Sequence, residues 1–198
     1  DQSTDGHIRR TTKYVELLAK EAAKEKIYKG ILTKDYIQNL IMAAPMHDIR
    51  KVTIPDAILQ KAGKLTTEEY KIMKTHAEKG SEIIKSTFGS VGDEEYKKIA
   101  YEVAYYHHEK WNGSGYPTGK KADEIPLCAR IMAIADVFDA LSSSRCYKEP
   151  MPLKQCFEII KNDAGQGFDP FLVEIFLQNR RQIEKIYEEN NSKKEYFL

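Results

Sequence analysis

The sequence predicts an all-α fold, a compact bundle of about seven helices, and three observations carry that prediction. Almost every segment repeats its apolar residues at the helical period. No run alternates apolar and polar residues with strand-like composition. The periodic segments also open on helix-start signals, namely Thr33, the pair Thr66 and Glu69, and Pro126.

From His7 to about Ile27 the apolar positions Ile8, Val15, Leu18, Ala19 and Ala22 share one face, which predicts the first helix. Thr33 suits the N-cap of the second, which runs through Tyr36, Ile37, Leu40 and Ile41. Pro45 interrupts that pattern just before His47 and Asp48, because proline removes a backbone donor and crowds the preceding turn. The third helix opens on the capping box of Thr66 with Glu69, and Tyr70, Met73, Ala77, Gly80 and Ile84 form one stripe that includes His76. In the fourth, Tyr96, Ile99, Val103 and Tyr106 at helical spacing deliver His107 and His108 to the C-terminal end, where a glycine-containing loop begins. Pro126 suits the first turn of the fifth, whose face of Ile131, Ile134, Phe138 and Leu141 flanks Asp136 and Asp139. Two further helices are expected near 152–162 and 170–190, followed by the polar tail NNSKKEYFL.

A length of 198 residues fits a single domain, 1–198, that buries a substantial core without staples. Cys128, Cys146 and Cys156 form neither a CxxC pair nor a framework, which suits a reducing cytoplasm. A net charge of +1, from 31 basic and 30 acidic residues mixed along the chain, gives no global field for long nucleic acid. It leaves room for a basic site that takes a small anion. No apolar run reaches the length of a membrane span, and DQSTDGHIRR lacks a signal peptide's apolar segment. Because the first helix begins within a few residues of the start, the domain is expected to be the output part of a longer chain with an N-terminal sensor or receiver.

The chemistry-bearing residues are the five histidines, His7, His47, His76, His107 and His108, each at a helix end or on an apolar face. Singly, each reads as a satisfied core or cap histidine. Together with Asp48 and Asp136 in apolar surroundings they need partners, and a divalent metal pairs several such groups at once. Adjacent residues at a helix end project in different directions, so His47 can serve one ion while Asp48, with two oxygens, reaches both. His107 and His108 admit the same argument, at the end of a helix that runs straight into HHEKWNGSGYP.

An ordered set of stretches then resembles the HD-GYP family, a branch of the HD hydrolases: GHIRRT at 6–11, APMHDIRKVTIPD at 44–56, KTHAEKG at 74–80, HHEKWNGSGYP at 107–117, IADVFDALSSSRCYK at 134–148 and GFDP at 167–170. The resemblance implies an HD-type helical bundle with a GYP loop, Gly115, Tyr116 and Pro117, between helices. It also implies that His7, His47, Asp48 and Asp136 hold one metal, and that Asp48 bridges to a second held by His76, His107 and His108. Iron or manganese is the expected metal. The implied activity is hydrolysis of cyclic di-GMP to pGpG, and onward to GMP, by hydroxide bridging the two ions. Lys51 matches a family lysine that donates to a phosphate oxygen or protonates the leaving group; read from the residues alone, it is a solvent-facing lysine equally well. Arg145 and Lys148 match phosphate-binding positions, and Asp139, which matches an aspartate near the site, joins them and Tyr116 as an expected substrate-binding residue. Tyr116 and Trp111 have two readings, contact with a guanine or a partner protein and ordering of the loop, and Glu109 is a second candidate for loop ordering.

Three departures stand out. The glutamate that supports a third metal in many members is Ser3 here, so two ions are expected rather than three. HDIGK reads HDIRK, placing Arg50 where a glycine permits a positive φ or a close ligand approach, and SDRPY reads SSRCY, with Ser144 and Cys146. The leading expectation is a phosphodiesterase. The alternative is a weakly active or inactive cyclic di-GMP receptor or scaffold, whose GYP loop contacts a partner such as a diguanylate cyclase domain.

Overall fold

The computed structural model describes residues 2–88, 93–143 and 150–191. Among the described residues the chain is all-α, with nine α-helices, three short 3-10 turns and, as its only strand-like feature, an isolated bridge between Ala164 and Phe168. The helix α6 (Leu127–Ser142) is the hub, because LCARIMAIADVFDALS is apolar around most of its circumference and such a helix is stable only when surrounded. The helices α1 (Gln2–Ala22), α5 (Glu94–Tyr106), α7 (Leu153–Asn162) and α8 (Pro170–Gln178) all pack against it. Phe138 of α6 meets Phe157 at 4.9 Å, Phe176 at 5.1 Å and Tyr14 at 5.4 Å between ring centroids, an aromatic knot that ties four helices together.

The expected start signals work as caps. Thr33 Oγ1 accepts from the Tyr36 amide at 3.1 Å and opens α2 (Lys34–Ala43). Before α4 (Thr67–Phe88), Thr66 Oγ1 accepts from the Glu69 amide while Glu69 Oε2 accepts from the Thr66 amide, the reciprocal capping box. Pro126 sits one residue before α6, and Asp169 caps α8 through bonds from the Phe171 and Leu172 amides.

Departures from the expected helices have local causes. The first helix ends at Ala22 rather than near Ile27, which is 57% exposed, and the chain turns so that Tyr28 and Leu32 enter the core. The segment expected as one helix over 170–190 is two, α8 and α9 (Arg180–Asn191). Asn179 separates them by donating its side-chain amide to the Ile175 carbonyl at 2.9 Å, in competition with the helical ladder. A one-turn helix, α3 (Asp56–Leu59), was not expected.

After α2, Pro45 turns the chain into a 3-10 segment, Ala44–Asp48, that touches α1, α4 and α5. This turn carries His47 and Asp48 to the point where three long helices converge. No helix of the described residues is long and apolar enough to cross a membrane.

Candidate metal centre

Four imidazoles reach the convergence point with their outer nitrogens already bonded. His47 Nδ1 lies 2.8 Å from the Ala44 carbonyl, His76 Nδ1 2.7 Å from that of Met73, and His107 Nδ1 2.9 Å from that of Val103. A carbonyl only accepts, so each Nδ1 carries the hydrogen and each Nε2 of the neutral ring is left with a lone pair. His7 achieves the same through Asp139, whose Oδ2 lies 2.8 Å from its Nδ1. These partners fix ring orientation as outer partners of metal-binding histidines do.

The inner nitrogens converge. His7 Nε2 and His47 Nε2 are 3.2 Å apart, His76 Nε2 and His108 Nε2 3.1 Å, and His76 Nε2 and His107 Nε2 3.5 Å. Asp48 stands between the two groups. Its Oδ2 lies 3.2 Å from His47 Nε2 and 3.9 Å from His7 Nε2, while its Oδ1 lies 3.5 Å from His76 Nε2 and 3.8 Å from His107 Nε2. Asp136 Oδ1 joins the first group at 3.6 Å from His7 Nε2. One set is His7, His47, Asp48 and Asp136, the other Asp48, His76, His107 and His108, and in each the donor atoms all lie within 4.8 Å of one another.

Electrostatics make the sets ready for cations. Burial, reinforced by neighbouring imidazoles, pushes His107 down to about 3 and His108 well below its ordinary value, and burial also lowers His76. These rings stay neutral at neutral pH. Burial also opposes charge on His47, yet Asp48 and Asp136 outweigh it and raise that ring. Burial would raise Asp48, but His47 and Lys51 hold it well below the carboxylate range. Facing lone pairs and a buried Asp48 Oδ1 without any hydrogen-bond donor are unfavourable by themselves, and divalent cations satisfy both. The donor set fits such ions.

Around the sets, Lys51 Nζ pairs with Asp48 Oδ2 at 2.6 Å and is part-exposed. Asp139, expected beside the substrate, is corrected by its position: it is 1% exposed behind His7, and Arg10 Nε and Nη2 occupy its oxygens at 2.6 and 3.1 Å. Burial would raise this carboxyl, and His7 and Arg10 hold it down instead. Arg10 was not singled out in the sequence, although it lies three residues after His7 on the same helical face. Arg50 has φ −98° and ψ 1°, so the position needs no glycine for its backbone. Arg145, Lys148, Ser144 and Cys146 lie outside the described residues, as does the side chain of Ser3.

The loop after His108 is held from inside. Buried Glu109 accepts from the Thr118 amide and hydroxyl, both at 2.7 Å, and from the Gly119 amide at 3.1 Å. Trp111 donates its amide to the Gly167 carbonyl and lies under the Arg130 guanidinium, which is itself paired with Asp169. Tyr116 returns over the centre, its ring stacked on His108 at 4.7 Å and 25°. A Cβ on Gly115 would come within 2.3 Å of the Lys110 amide nitrogen, a backbone atom with little freedom to retreat. Gly115→Ala is therefore expected to push the loop outward, at a cost of about 1–3 kcal/mol, and to lift Tyr116 from His108. Thermal denaturation with metal analysis checks this, and parental values of both would contradict the close approach.

The comparisons with known proteins agree with this geometry. A family model described as the HD domain matches residues 4–172. A cyclic di-GMP phosphodiesterase of Vibrio cholerae is 44% identical over 177 residues, which are 89% of this chain and 36% of that protein. A 3′3′-cGAMP-specific phosphodiesterase 2 of the same organism is 42% identical over 180 residues, 90% of this chain and 32% of that protein. This chain thus spans about a third of the length of these curated relatives. Among solved structures, an HDG"Y"P protein of Bdellovibrio bacteriovorus matches 86% of this chain and 50% of its own with a TM-score of 0.63 at 18% identity, a likeness of fold. With the family model covering residues 4–172, which include both donor sets, this chain belongs to the HD domain family.

Proposed function

We propose that this chain is a metal-dependent phosphodiesterase domain that hydrolyses cyclic di-GMP to pGpG and onward to GMP. The observation that carries the reading is Asp48, shared by two donor sets and holding a buried oxygen that no hydrogen bond satisfies. His7, His47, Asp48 and Asp136 would hold one ion, and Asp48, His76, His107 and His108 the other. Mixed imidazole and carboxylate donors suit iron or manganese. Such a pair, when bound, supplies Lewis-acid polarisation of a phosphoryl group and lowers the pKa of water.

The chain's own residues then orient and exchange protons. Lys51, at 2.6 Å from Asp48, keeps an ammonium beside the donor sets, where it donates to a phosphate oxygen or protonates the departing ribose oxygen. Arg145 and Lys148 bind substrate phosphate, a task for which a guanidinium fork is suited. Tyr116 lines the approach to His108. The exposed tip of the loop, Asn112, Ser114, Thr118 and Gly119, offers a surface to a protein partner such as a diguanylate cyclase domain. With that substrate, the domain would act in the cytoplasm.

A second substrate reading, cyclic GMP–AMP, is favoured by the relative specific for 3′3′-cGAMP, whose 42% identity nearly equals the 44% of the cyclic di-GMP enzyme. One assay separates the readings: anaerobic incubation of iron- or manganese-loaded protein with each dinucleotide, products resolved by chromatography. We expect pGpG or GMP from cyclic di-GMP. Product from cyclic GMP–AMP alone moves the substrate. No product from either, with metal bound, overturns the phosphodiesterase in favour of a receptor.

A further inference from the structure

Beside the metal centre, α4 exposes aromatic surface that the core does not use. Tyr70 heads the stripe continued by Ala77, Gly80 and Ile84, and those three are buried whereas Tyr70 is 47% exposed. A core tyrosine normally buries its ring, since that area supplies most of what the residue contributes to packing. Here the ring turns to Tyr116, with centroids 6.3 Å apart and planes at 82°. Tyr116 in turn covers His108, so aromatic rings run without a break from the second donor set to solvent. Lys74, one turn along α4, stands 5.1 Å from the Tyr70 centroid and 5.7 Å from that of Tyr116. Among the described residues the contacts of its ammonium are with these two rings rather than with a carboxylate.

A half-exposed ring, a second ring bordering the metal centre and an ammonium standing over both have a common complement. A nucleobase presents a flat π face, and the phosphodiester joined to it presents a negative charge within reach of a lysine. We infer that Tyr70, with Tyr116 and Lys74, forms a platform for one nucleobase of the substrate, seating the base while its phosphodiester lies at the donor sets. The inference rests on the phosphodiesterase reading and adds to it the residue that binds the base. Every base has a π face, so the platform takes guanine and adenine alike and leaves discrimination between them to other residues.

The test measures KM and kcat for cyclic di-GMP, with metal content, on the metal-loaded chain and its Tyr70→Ala and Tyr70→Phe variants. Stacking on an aromatic ring is worth about 1–3 kcal/mol per base, so Tyr70→Ala should raise KM roughly 5- to 150-fold. Metal content and kcat should hold, because the binding lost is common to ground and transition states. Tyr70→Phe keeps the ring and should recover most of the affinity. A merely structural Tyr70 would give instead a parental KM in Tyr70→Ala, or a loss of metal, and either overturns the platform. Should the unsubstituted chain turn over no cyclic di-GMP, the phosphodiesterase reading fails separately, and titration with GMP decides the platform: weaker binding by Tyr70→Ala upholds it, and equal or absent binding overturns it.

Discussion

Asp48→Ala is expected to empty both donor sets and to reduce phosphodiester cleavage by at least about 10³-fold, more than the loss of one ordinary electrostatic contact brings. The reason is the position of its two oxygens. Oδ2 belongs with His47 and His7, Oδ1 with His76 and His107, and no other carboxylate among the described residues joins both sets. Removing it leaves five histidines and Asp136 around one negative charge fewer, with Lys51 deprived of the partner that holds it at 2.6 Å. Asp48→Asn separates charge from shape: the amide fits the space but cannot bridge two cations as a carboxylate does, so both variants should lose metal. Elemental analysis beside a turnover assay is the check, and full metal content in Asp48→Ala would refute a shared ligand.

The second large effect is expected from Asp139→Ala. Asp139 and Arg10 are almost fully buried, at 1% and 4% exposure, and their two hydrogen bonds close the space between α1 and α6. Removing one member of a buried ion pair strands the other, which costs about 3–5 kcal/mol. In a domain of this size that corresponds to a fall in Tm of roughly 6–20 °C. The same change frees His7, whose Nδ1 loses its acceptor at 2.8 Å, so the first donor set should lose about 10–100-fold in metal affinity. Asp139→Asn should be milder in Tm yet still weaken metal, because an amide nitrogen or oxygen cannot serve both Arg10 and His7 as the carboxylate does. Thermal denaturation and metal titration report the two effects separately. A Tm within about 2 °C of the parent in Asp139→Ala would contradict the stranded-charge argument.

How far these features are legible in the sequence depends on whether their causes are local. Thr33 and the Thr66/Glu69 box can be read directly, since a cap involves residues three apart. The break at Asn179 cannot, because apolar spacing continues across it from Phe176 to Ile183 while one side-chain amide shares the Ile175 carbonyl with the backbone. The seven histidine and aspartate positions are legible through their ordered motifs, and the fold brings them together. Asp139 shows the limit: spacing places it on the same face of α6 as Asp136, but nothing local says that Arg10, 129 residues away, will claim its oxygens. Tyr70 has the same lesson in reverse. Periodicity assigns it to a buried stripe, and only the return of the loop through Gly115 and Tyr116 shows why its ring faces outward.

The most direct test of the account is to count the ions. Protein purified anaerobically and loaded with iron or manganese, then freed of excess metal, should hold about two ions per chain by elemental analysis. Substitution of His47 should remove the ion of the first set, and substitution of His108 that of the second, with Asp48→Ala removing both. One ion per chain in the unsubstituted protein, or two that persist in Asp48→Ala, would contradict a binuclear centre built on Asp48.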